Sequence, residues 1–145
     1  MTRVLLILGG VLNTLFFLFH FLLGYQIHNL TQVAPPLHGL MQALNVGEVI
    51  FLFFCAVVSF FCQTDLVQTR LGRLFLSLIA IFYLTRACEE FIIFKFTPTI
   101  FAACAVTGLI YFALLLISWT KRGREELASA VTIEHEHEPE LVGHR

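Results

Sequence analysis

Residues 100–119 read IFAACAVTGLIYFALLLISW, twenty consecutive positions without an Asp, Glu, Lys or Arg. At ~1.5 Å of rise per residue, that run makes a helix of about 30 Å, the thickness of a bilayer's hydrocarbon core. A helix apolar on every side belongs inside a large protein or in lipid. A chain of 145 residues has no large core to offer, so lipid is the solvent implied.

Three further stretches have the same length and character. Val4 to Leu23 is interrupted by Asn13, Thr14 and His20; Leu37 to Cys62 carries Gln42, Asn45 and Glu48; Leu74 to Phe94 carries Arg86, Glu89 and Glu90. The whole chain agrees with them. It is 58% hydrophobic, with sixteen phenylalanines, and 13% charged, where a soluble domain carries about 25%. Its mean hydropathy is +0.84. The expected fold is all-α, an integral membrane four-helix bundle of antiparallel up-down hairpins. It occupies residues 1–120, with spans at about 4–23, 37–62, 74–94 and 100–119.

The connections support hairpins. Gly24 to Pro36 ends in Pro35-Pro36, a pair that stops one helix pattern and starts the next, and Lys95 to Thr99 is short, with Pro98 suited to the first turn of the last span. Gln63 to Arg73 joins the second and third spans, and short links force antiparallel neighbours. The first span resembles a signal peptide only in having Arg3 before an apolar run. That run exceeds the ~7–15 residues of a signal's apolar region, and no small-residue cleavage pattern follows.

Basic residues set the orientation. Arg3, Arg70, Arg73, Lys121, Arg122 and Arg124 fall on one side and Lys95 on the other, and cytoplasmic loops retain the excess of Lys and Arg. Both termini are therefore expected in the cytoplasm, with the 24–36 loop outside. After Trp119 the composition turns to Lys121-Arg122-Gly123-Arg124 and then to an acidic stretch ending in Glu138. Residues 121–145 are expected to form a charged, disordered cytoplasmic tail. No basic stripe with interleaved aromatics suggests nucleic acid. The expected surroundings are the lipid bilayer, with a membrane protein partner or a second copy of this chain.

Polar groups inside spans are costly and usually face the bundle interior. His38, Gln42, Asn45, Glu48, Cys55 and Ser59 recur at spacings of three, four and seven, which places them along one side of the second span. Asn13 and His20, seven apart, share a face of the first. By rise per residue, Glu48 and Arg86 lie ~16 Å and ~12 Å from the same outer edge, so their opposite charges are expected to pair. Glu89 and Glu90 stand three and four positions beyond Arg86, close enough to compete for it. The candidate site is thus Asn13, His20, Asn45, Glu48, Arg86 and Glu89. It reads either as a clamp between helices or as a polar cavity for a ligand, a metal or a proton.

Cofactor signals are thin. His20, His28 and His38 raise a haem, but His28 sits in the loop and the remaining pair lies near one surface. Zinc would favour a pair of histidines at i, i+4, which is absent. Cys55, Cys62, Cys88 and Cys104 lie in apolar stretches without a C-x-x-C pair and read as small hydrophobes. His135 and His137, among glutamates, give the tail a weak metal-attracting character. Asn29-Leu30-Thr31 fits a glycosylation acceptor if the loop is luminal in a eukaryote.

Met41-Gln42-Ala43-Leu44-Asn45, Ser59-Phe60-Phe61, Thr69-Arg70-Leu71-Gly72 and Leu84-Thr85-Arg86 together resemble a set of small uncharacterised bacterial four-span membrane proteins. The resemblance implies the bacterial inner (plasma) membrane and brings no activity. Asn45 and Glu48 are also similar to the Arg-x-x-x-Asn-x-x-Glu pattern of the membrane glutathione-transferase and eicosanoid (MAPEG) family. Here Met41 takes the arginine's position, which removes the cation that would meet glutathione.

No nucleophile beside a base, metalloprotease motif or P-loop is visible, nor are inverted repeats with broken helices of the transporter kind. The expected role is a nonenzymatic small subunit or ligand-responsive module with an outward-facing polar cluster. A small membrane enzyme acting on a lipophilic substrate, and proton or solute transport, are the alternatives.

Overall fold

A computed structural model describes the backbone of residues 2–92 and 96–136, and the side chains of all of these but 125–136. Among the described residues every element is helical: α1 Thr2–His28, α2 Pro35–Phe61, α3 Gln63–Gln68, α4 Arg70–Ile92 and α5 Pro98–Glu136. Four of them, α5 over Pro98–Arg124, are long and apolar enough to cross a membrane, which is the build of a multi-pass membrane protein.

The helices overrun the apolar segments for local reasons. Helix α1 continues through Gly24 to His28 because Ile27 is buried and α2 supplies partners for the carbonyls of its last turns. Pro35 and Pro36 open α2, where a missing N–H costs nothing. The 63–73 connection, expected as a loop, contains α3. Leu66 is its buried anchor. Thr69 then starts α4 by accepting the Gly72 N–H at 2.9 Å, the usual service of a hydroxyl at a helix start. Gly72 is required there, since a Cβ would collide with the backbone of Asp65 and Leu66.

Helix α5 does not stop at Trp119. It runs to Glu136, where a disordered tail was expected from 121 onward. Glu125, Glu126, Leu127 and Ala128 are strong helix formers that extend an existing helix at little cost. His135 lies on this extension; His137 lies outside the described residues.

α1 packs against α2 and α4 against α5, and the two hairpins meet most closely along α1 and α5. Small residues set that approach: a Cβ on Gly9 would stand 2.8 Å from the Tyr111 ring. The opposite seam, between α2 and α4, is wider and filled by rings, Phe51 on Phe82 at 4.7 Å and Phe54 on Phe75 at 5.6 Å between centroids. The core holds Leu6, Leu52, Leu76, Ile79, Tyr83, Tyr111 and Leu114 with Cys55 and Cys104 among them, so these two thiols pack as hydrophobes. No more than 33% of any span's apolar window is buried within the bundle, and Phe61, Ile92 and Tyr25 stand on the outer surface. That much exposed apolar area suits contact with acyl chains.

Both hairpin turns lie at one end of the bundle, the hairpin end. The start of α1, helix α3 and Lys121 to Arg124 of α5 lie at the other, the basic end.

Candidate functional site

The polar stripe of α2 divides into two parts. Three of its members grip main-chain carbonyls of α1: His38 Nε2 donates to Ile27 O at 2.8 Å, Gln42 Nε2 to Gly24 O at 3.1 Å and Asn45 Nδ2 to His20 O at 3.1 Å. The residue numbers descend on one helix as they rise on the other, so these bonds fix the antiparallel register. Gly24 makes the approach feasible, because a Cβ there would lie 2.7 Å from Asn45 Nδ2. His38, Gln42 and Asn45 are thus structural clasps.

Nearer the basic end, a second network ties all four long helices. Asn13 Nδ2 donates to the Tyr111 hydroxyl at 2.7 Å and to Gly9 O at 2.8 Å, and the Tyr83 hydroxyl donates to Asn13 Oδ1 at 2.7 Å. Ser59 Oγ lies 2.6 Å from the Tyr111 hydroxyl. Asn13, Ser59 and Tyr111 have no exposed surface, and a fully satisfied polar group in low dielectric is a strong positional constraint. Asn13 therefore belongs to a packing centre, away from the remaining candidates.

Those candidates gather toward the hairpin end, around a cavity of about 360 Å³ between the four helices. Its polar lining comes from His20 on α1, Glu48 on α2, Arg86 and Glu90 on α4, and Thr97 just before α5. Phe16, Phe82, Leu52 and Ile100 supply apolar wall. Ligand cavities commonly have this composition, mostly apolar with a few convergent polar groups.

Glu48 and Arg86 line the same cavity but take other partners. Glu48 Oε2 stands 3.0 Å from His20 Nδ1, and Arg86 Nη1 donates to Glu89 Oε2 at 2.8 Å. The expected Glu48–Arg86 pair gives way for a geometric reason. Glu89 is one helical turn from Arg86 and meets it on the same helix, while the clasps between α1 and α2 carry His20 to Glu48. His20 Nδ1 also lies 3.1 Å from Asn45 Oδ1. The Asn45 amide is oriented by its own donation to the His20 carbonyl, so Nδ1 faces two acceptors and must carry the proton. The imidazole's Nε2 is then left as a hydrogen-bond acceptor.

Glu90 was not among the candidates drawn from the sequence. It is 3% exposed, lines the cavity, and has no hydrogen bond or ion pair among the described residues. The signal for it was present in α4. Leu76, Ile79, Ala80, Tyr83, Ala87 and Glu90 are all buried, and their spacings of three and four mark one inward face that Glu90 closes.

His28 is exposed, and His38 is committed to α1. Among the described residues no three His, Cys, Asp or Glu side chains converge on a point where a metal ion would sit. Comparison with protein-family models, with curated proteins and with solved structures returned no match.

Proposed function

We propose that this protein is a small ligand-binding module of the bacterial inner membrane. Its basic end faces the cytoplasm and its cavity takes up a small amphipathic molecule from the outer half of the bilayer or from beyond it. The orientation rests on the excess of Lys and Arg at the basic end.

Glu90 carries the reading. Its carboxylate borders the cavity and is not sealed off from it, since no fully enclosed side-chain oxygen among the described residues lacks a hydrogen bond, and a donor group on a ligand would meet it there. Among the described residues, Arg86 binds Glu89 and His20 meets Glu48. The preferred ligand therefore presents a cation or a hydrogen-bond donor to Glu90 and an apolar body to Phe16, Phe82 and Ile100.

Mild extraction from the native membrane followed by native mass spectrometry tests this. A small molecule retained at one per chain by the parent, and lost from Glu90→Gln while the thermal transition persists, is the expected result. A parent that carries nothing from the membrane, or a Glu90→Gln variant that keeps the same adduct, rejects it.

The His20–Glu48 pair favours a second reading, a membrane enzyme acting on a lipophilic substrate. An imidazole whose Nδ1–H is held by a carboxylate at 3.0 Å is the arrangement of a general base with its orienting acid. In that case the retained molecule would be altered on incubation with the parent and unaltered with His20→Gln.

A further inference from the structure

The seam between α2 and α4 carries a second hollow on its outer side, a groove of about 260 Å³. Its lining on α4 runs from Leu78 and Ile81 through Thr85 to Glu89, and the first three of these are exposed on the outer surface. Glu48, Phe82 and Arg86 line this groove and the interior cavity alike. They form the partition between the two spaces.

The movable part of that partition is aromatic. The Phe82 ring meets Phe51 of α2 at 4.7 Å and Tyr83 at 5.3 Å between centroids. Tyr83 is fixed by its bond to Asn13. The Phe51–Phe82 contact is apolar, so the Phe82 ring turns to another rotamer without stranding a polar group. The helices pack as the pairs α1 with α2 and α4 with α5, and the pairs meet most closely along α1 and α5. The α2–α4 edge is therefore where separation breaks least.

Depth decides what can use the groove. From Leu78 to Glu89 is eleven residues, or ~16 Å of helix, close to the ~15 Å of hydrocarbon in one leaflet. Ile81 stands midway along α4, and Glu89 lies one turn from its hairpin-end terminus. The groove is thus apolar near the bilayer's middle and charged near the headgroups, the polarity of the leaflet beside it. At ~30 Å³ for each water-sized group, its 260 Å³ admits one short alkyl chain and not two.

We propose, on the basis of the ligand-binding reading above, that α2 and α4 form a lateral gate. A single-chain amphiphile of the outer leaflet lies in the groove, its head toward Glu89 and its chain over Ile81 and Leu78, and passes Phe82 into the cavity. The bilayer, and not the aqueous side, is the source of the ligand.

Cys104 lines the cavity but not the groove, so its thiol reports arrivals whatever the natural ligand is. The full-length protein carrying Cys62→Ser and Cys88→Ser is reconstituted in phosphatidylcholine vesicles. It is treated with a decyl maleimide, which dissolves in the bilayer, or with a sulfonated maleimide, which stays in water, and peptide mass spectrometry follows modification of Cys104. The decyl reagent is expected to label Cys104 far faster at equal total concentration. Phe82→Ala should raise that rate roughly two- to tenfold, the worth of an aromatic pair. Leu78→Trp with Ile81→Trp, which fill the groove from outside the cavity, should lower it by a similar factor. Leu109→Trp, on an exposed face of α5 away from both spaces, should leave it unchanged.

Labelling as fast by the sulfonated reagent, or by neither reagent, overturns the gate. An unchanged rate in both the Phe82 and the groove-filled variants places the entrance elsewhere and also overturns it, as does a slowing by Leu109→Trp equal to that of the filled groove. Should Phe82→Ala lose its thermal transition, the groove-filled variant decides alone. These rates need no retained adduct. A protein that carries nothing from the membrane yet labels as expected rejects the binding module and keeps the lateral passage, whereas one that keeps its adduct and labels from water does the reverse.

Discussion

The Asn13 amide donates to the Tyr111 hydroxyl across 2.7 Å, joining residues 98 positions apart at the middle of the bundle. Because the Tyr83 hydroxyl donates to the same side chain's oxygen, one amide joins both hairpins. Replacing Asn13 by Leu would leave the buried Tyr83 hydroxyl without its acceptor and the Tyr111 hydroxyl with Ser59 alone. Each unsatisfied group costs about 1–3 kcal/mol, so Asn13→Leu is expected to lower the thermal transition in detergent more than Tyr111→Phe, which removes a single hydroxyl. A larger loss from Tyr111→Phe would contradict this centre.

The glycines separate into tight and open positions. At Gly9 a Cβ would meet the Tyr111 ring at 2.8 Å, whereas at Gly39 and Gly47 it would meet nothing within 4 Å. Gly9→Ala should therefore destabilise by about 1–3 kcal/mol through overpacking. Gly39→Ala and Gly47→Ala should stabilise by roughly 0.5–1 kcal/mol, since alanine gives up less backbone freedom in a helix. Thermal unfolding of the three variants decides the matter, and a neutral Gly9→Ala would show that α1 and α5 sit further apart.

Around the cavity, the pairing predicts which substitutions interact. Double-mutant cycles in thermal stability should give a coupling of about 0.5–3 kcal/mol for His20 with Glu48 and for Arg86 with Glu89. Glu48 with Arg86 should give a smaller value. The Arg86–Glu89 coupling belongs at the low end of that range, because both side chains keep about a third of their surface and exposed pairs are worth little. A Glu48–Arg86 coupling above that of Glu48 with His20 would restore the pair expected from depth alone.

The proposed orientation predicts opposite labelling. In a background lacking Cys62 and Cys88, Thr31→Cys should react with an impermeant thiol reagent in intact cells, and Ser129→Cys only after the membrane is breached. The buried Cys55 and Cys104 can stay. Labelling of Ser129→Cys in intact cells would invert the topology.

The four long helices were legible because hydropathy over twenty residues depends on no partner. Helix α3 was hidden by its six residues, too few for a periodic signal, and its existence depends on Leu66 finding a place among other helices. The α2 stripe was likewise visible as a stripe. What its members touch was not, since three of them reach main-chain carbonyls that no side-chain pattern advertises. Glu48 and Arg86 were matched by depth, a single coordinate, while rotation about each helix axis decides which neighbour is reached. Tyr111 carried no sign of its role, because a tyrosine in an apolar run looks the same whether its hydroxyl meets a partner or the interface.

The clasp between α1 and α2 is lopsided. On α2 it uses side chains, which mutation can replace, and on α1 it uses main-chain oxygens, which every amino acid possesses. Drift during evolution is then felt unequally by the two helices. Ile27 can be exchanged for another apolar residue without altering what His38 binds, and Gly24 is held by the room it leaves rather than by any group it contributes. Among descendants of this chain, the record of selection for this hairpin should be written on the second helix and nearly blank on the first.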